Sequence, residues 1–79
     1  MGETQGKRFP VETPERGGTF RIELDTMMYA RPDSLSPQLA YLSSGVRVRV
    51  LARAGEFWHV EAPDGTSGYV LTAIPMTEV

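Results

Sequence analysis

The sequence has no cysteine, a single histidine and a single tryptophan among its 79 residues. Without cysteine there is no disulfide framework and no thiolate metal site, and one histidine cannot build a metal cage without several well-placed carboxylates. Neither a metal nor a cofactor is expected. An excess of one charge is also missing: eight Lys and Arg stand against ten Asp and Glu, for a net charge of −2. Nucleic-acid binders carry a basic excess on one face, so nucleic acid is not an expected partner. No apolar run approaches the roughly 18 residues of a membrane-spanning helix, and the opening MGETQGKRF lacks the apolar stretch of a secretory signal. Direct membrane insertion is not expected, and the expected location is the cytoplasm or the cytoplasmic face of a complex. Gly6 stands where a myristoylation signal following Gly2 wants a hydroxyl residue.

The signatures of catalysis are equally sparse. The carboxylates are spread singly along the chain, not paired for acid and base work. Gly17, Gly18 and Gly45 precede expected strands and open no helix, so there is no phosphate-cradling loop. His59 would need a hydroxyl nucleophile within reach and a third group to orient its ring. No motif marks such a nucleophile, and Asp64 is explained by its Pro-Asp-Gly turn. His59 therefore reads as a surface residue beside an aromatic, and the chain as a non-enzyme with no catalytic residue.

What is present is a period of two. Phe20, Ile22 and Leu24 alternate with Arg21 and Glu23, and Val46, Val48 and Val50 alternate with Arg47 and Arg49, the pattern of half-buried strands. Ala54-Gly55-Glu56 separates the valine strand from Phe57 to Glu61, which reads as a hairpin. In Pro63-Asp64-Gly65, Pro presets φ, Asp bonds its own backbone and Gly accepts a positive φ. A strand over 66–70, one helical turn over 71–73 and a closing strand over 74–76 complete the chain. Prolines at 32 and 37 make residues 31–38 a long loop. Apolar residues nowhere recur at helical spacing over three turns, so the fold class is all-β, about five short strands closed into a small barrel. A chain of this size buries only about 60% of its unfolded surface, which leaves a small core. Residues 1–18 hold few apolar anchors (Met1, Phe9 and Val11) among glycines and prolines, and read as an extended N-terminal arm before a domain over 19–79.

The order of these pieces resembles the bacterial Src-homology-3-like (SH3-like) domain over about residues 24–76. The matching residues are Tyr29-Ala30-Arg31 before a Ser/Pro-rich loop, Leu42 and Gly45 opening the valine strand, Phe57 to Val60, and Asp64-Gly65 followed by Gly68-Tyr69-Val70. The resemblance implies an open SH3-like barrel. In relatives that bind polyproline, the groove is built from aromatic rings. Phe57, Leu71 and Ile74 fall here where those relatives carry a tryptophan, a proline and a tyrosine, so the usual polyproline mode is not implied. Tyr29, Tyr41, Phe57, Trp58 and Tyr69 remain to form a different aromatic patch.

Trp58 shares the parity of Val60 and fits either core packing or a contact surface. Arg21, Arg47, Arg49 and Arg53 read as the solvated outer face of strands. Of the adjacent Met27 and Met28, one must face outward on a regular strand. The expected function is a non-catalytic accessory or assembly subunit that docks on a larger protein assembly. A membrane-associated complex, photosynthetic ones included, and a phage particle are the candidate hosts. Docking is expected through the arm, with Phe9 and Val11, and through the aromatic face of Tyr29, Tyr41, Phe57, Trp58 and Tyr69. The alternative, implied by the family resemblance, is a cell-wall targeting module that binds peptidoglycan.

Overall fold

The computed structural model describes residues 11–79, with Arg16 described through its backbone alone. The expected contact at Phe9 lies outside the described residues. Seven strands form one antiparallel sheet: β1 (Glu12–Ile22), β2 (Thr26–Tyr29), β3 (Gln38–Leu42), β4 (Arg47–Ala54), β5 (Phe57–Glu61), β6 (Ser67–Leu71) and β7 (Met76–Glu78). Their spatial order is β3-β2-β6-β5-β4-β1-β7. Leu42 of β3 and Ile22 of β1 lie near opposite ends of that order, yet both enter one core with Met28, Val48, Val50, Val60 and Val70. The sheet must curl to achieve this, which gives the expected open SH3-like barrel. Backbone bonds from the Ile22 amide to the Val46 carbonyl (2.8 Å) and from the Gly45 amide to the Ile22 carbonyl (2.7 Å) extend the pairing of β1 with β4 to the end of β1.

The valine strand and its turns form as their residues dictate. Val48 and Val50 are buried between exposed Arg47 and Arg49. Gly55, at φ 62°, takes the first position of the two-residue β4–β5 turn, where a positive φ matches the twist of the hairpin. Asp64 accepts the Thr66 amide at 2.9 Å, and Gly65 has φ 92°.

Three expectations need correction. Among the described residues there are seven strands where about five were expected, because β2 and β3 flank the loop as short strands without clean polar alternation. The first strand starts at Glu12, not Thr19. Glu12, Thr13 and Pro14 pair with Ala54, Arg53 and Ala52, and the ladder resumes at Gly18 opposite Val50. Residues 15–17 bulge out between the two runs, so Pro14, Gly17 and Gly18 serve an irregular strand and not a coreless tail. The closing strand is Met76–Glu78 rather than 74–76, after an i to i+3 turn in which the Ile74 amide donates to the Leu71 carbonyl.

Gly68 is required by a close approach. A Cβ there would lie 2.5 Å from Cγ of Met28 and 2.7 Å from the Tyr29 carbonyl oxygen. The contact lets β2 lie against β6, where Tyr29 and Tyr69 are partners. The loop before β3 is fastened by Ser36, 7% exposed, whose hydroxyl accepts the Arg31 amide at 3.2 Å. That bond satisfies a buried polar group.

Candidate functional site

The site arises from one irregularity at Leu51. On one side of β4 the register passes from Val50 opposite Val60 to Ala52 opposite His59, and on the other from Val50 opposite Gly18 to Ala52 opposite Pro14. Directly opposed residues share a face. Val48 and Val50 therefore face the core, while Ala52 and Ala54 join the face of His59 and Phe57. A plain alternation pattern does not reveal such a switch.

The first face carries a groove of about 280 Å³ lined by Glu15, Phe20, Val50, Trp58, Thr72, Ile74, Pro75 and Met76. The bulge in β1 takes Glu15 out of the ladder and to the groove. The turn after β6 supplies the opposite wall. Trp58 stands half-buried on β5 opposite Arg53, whose guanidinium lies 5.4 Å from the indole centre. That contact is a cation–π pair. The result is an apolar trough with an acid at one rim and a base held over its indole.

The second face is a ring ladder sealed by the first strand. His59 stacks on Tyr69 with centroids 4.5 Å apart and planes 16° apart, and Tyr29 meets Phe57 edge to face at 6.0 Å. Glu12 lies across this ladder. One carboxylate oxygen lies 2.8 Å from Nδ1 of His59, and the other accepts the Tyr69 hydroxyl at 2.5 Å. The Tyr69 and His59 bonds together hold the Glu12 carboxyl below its usual range. Burial, helped by the Glu12 bond, pushes the Tyr69 phenol up to about 12. Glu12 contacts His59 and accepts the Tyr69 hydroxyl, so the trio forms one clasp across β1, β5 and β6.

The expected aromatic patch is divided accordingly. Tyr29, Phe57 and Tyr69 come together, with Phe57 buried. Trp58 points to the opposite face, and Tyr41 lies on β3 with its hydroxyl on Asp25. Val11 is exposed beside Glu12. Of the arginines, Arg21 pairs with Glu23 at 3.2 Å and Arg49 with Glu61 at 3.8 Å, as the outer-face reading expects, whereas Arg53 stands over the Trp58 ring. Glu12 and Glu15 were not legible as site residues: 47 positions separate Glu12 from His59, and no motif links them. Among the described residues, no group of three or more metal-ligating side chains is placed to hold a cation.

A curled antiparallel sheet of this order, with an apolar groove on one side, defines a small SH3-like barrel. The family model described as the bacterial SH3 domain matches residues 26–73. The chain belongs to that family, whose members are protein-binding or cell-wall-binding modules and typically non-catalytic. No curated protein and no solved structure matches the chain.

Proposed function

We propose that this chain is a non-catalytic module that docks on a larger protein assembly through the groove around Trp58. The single observation that carries this reading is the lining of the groove. Six of its eight residues are apolar or aromatic, and Glu15 and Thr72 supply the polar side chains. A trough of that kind takes an apolar side chain from a partner segment, with Trp58 as the anchor. Glu15 answers a basic residue beside that anchor and Arg53 an acidic one, which fixes the segment's direction.

A sugar ring wants different chemistry: an open aromatic plane and several converging hydrogen-bonding groups. Here the Arg53 guanidinium already stands over the indole, and Glu15 and Thr72 are the polar side chains of the lining. This favours a protein segment over peptidoglycan. The test is co-purification of the full chain from its source beside sedimentation with peptidoglycan. Trp58→Ala and Glu15→Arg should each weaken recovery of a discrete complex at least tenfold. Glu15 is exposed, so its reversal leaves the fold intact. Sedimentation with the cell wall, unaffected by either change, would sink the protein-docking reading.

A further inference from the structure

The two edges of the sheet are protected unequally. β7 has three residues and carries Glu78, a short and charged edge of the sort that discourages further pairing. β3 is the other edge, and none of its five residues, Gln38 to Leu42, is charged or proline. Leu39 is 49% exposed and Tyr41 59%, and Leu35, just ahead of the strand, is 83% exposed. Among the described residues, no strand pairs with the outer side of β3. An uncharged edge with large apolar side chains standing out from it is a template for another strand.

We infer that two copies of the chain associate through β3, strand against strand, antiparallel about a two-fold axis at Ala40. The occupant is a second copy because the strand complements itself. In this register Ala40 faces its own counterpart, and Leu39 of each copy lies opposite Tyr41 of the other. That gives two aromatic–aliphatic cross-strand pairs, a favourable combination. No charge lies on β3 to be opposed by its like, and a closed two-fold contact uses the same patch on both copies. Tyr41 is prepared for this role. Its hydroxyl donates to Oδ2 of Asp25 at 2.5 Å while Oδ1 of Asp25 accepts the Ser44 amide at 2.7 Å. The ring is oriented, and its polar end already has a partner when the pair is covered. The proposal stands apart from the Trp58 groove, which lies at β1, β5 and the turn after β6.

Analytical ultracentrifugation of the full chain from about 10 μM to about 1 mM spans the affinities expected of so small an interface. The average mass is expected to rise toward that of a dimer, and amide exchange along β3 to slow at least threefold over the same series. Leu39→Lys/Tyr41→Lys, which sets like charges across both pairs, should weaken association at least tenfold. Leu39→Lys/Tyr41→Glu, which sets opposite charges across them, should restore it at low salt and lose it again at high salt. These side chains are exposed, and circular dichroism checks that each variant is folded. A chain still monomeric at the top of the series, or a dimer unaffected by the double lysine variant, overturns the proposal. Failure of the opposite-charge variant to recover overturns the two-fold register.

Discussion

Glu12 accepts a hydrogen bond from Tyr69, a residue 57 positions further along the chain, and in doing so ties the start of the first strand to the sixth. Its other oxygen contacts His59 on the intervening strand. Glu12→Ala removes both contacts but leaves the backbone pairing of Glu12 with Ala54. Because the Glu12 side chain is 40% exposed, solvent screens the interaction, and the loss of global stability should be at most about 1 kcal/mol. The local effect is larger: exchange of the Glu12 and Thr13 amides should accelerate, while that of β5 and β6 is unchanged. Uniform exchange in the variant would show that the clasp holds nothing.

The same contacts set a dependence on pH. Glu12 and Asp25 both have folded pKa values below the ordinary carboxyl range, Glu12 chiefly through Tyr69 and Asp25 chiefly through Tyr41. Their contributions are present above the unfolded carboxyl pKa and disappear as pH falls through the folded values. Denaturant midpoints should therefore fall on the acid side, and Glu12→Gln should flatten part of that slope.

Tyr69 acts at the other extreme. Its folded pKa of about 12 exceeds the ordinary phenol value of 10.0, so the stabilisation is complete below about 10 and is lost as pH rises through 12. Ultraviolet titration of the phenols should contain one step near 12 that is missing from Tyr69→Phe. A Tyr69→Phe titration identical to that of the native chain would contradict the assignment.

Gly68→Ala should destabilise the fold by about 1–3 kcal/mol, the usual range for overpacking. One of the two clashing atoms is the backbone oxygen of Tyr29, which cannot move aside as a side chain does. A chemical melt measures the loss. A variant as stable as the native chain would mean that β2 and β6 are further apart than described.

Val48→Asp should abolish cooperative unfolding, since Val48 is 1% exposed and lies within the core. An unpaired carboxylate there costs several kcal/mol, comparable with the whole stability of a small domain. A soluble, cooperatively unfolding variant would place Val48 on the wrong face.

These predictions rest unevenly on sequence. Val48 and Val50 alternate with arginines, and Pro63-Asp64-Gly65 has the chemistry of one turn, so the β4 core and the β5–β6 turn were legible. The resemblance to the SH3-like pattern over about residues 24–76 supplied the barrel, and the family model matches 26–73. The shift at Leu51 was not legible, because Ala52 and Ala54 continue the parity of Val50 while changing face. Trp58 and Phe57, adjacent on one regular strand, fall on opposite faces by parity alone, whereas Glu15 could not be placed at the groove, because the bulge that carries it leaves no periodic trace. Residues 12–18, expected as part of the arm, were not legible as strand for a related reason. A strand with a three-residue bulge, a proline and two glycines loses the periodicity by which strands are recognised, although its pairing to β4 remains.

The docking account is tested most directly by photo-crosslinking from two positions of the full chain in its source extract. A reactive residue replaces Thr72 in the groove wall in one experiment and Ser67 on the opposite face in the other. The account predicts a discrete protein adduct from position 72 that is missing from position 67 and is lost when Glu15→Arg is added. Equal labelling from both positions, or peptidoglycan fragments in place of a protein at position 72, would contradict it.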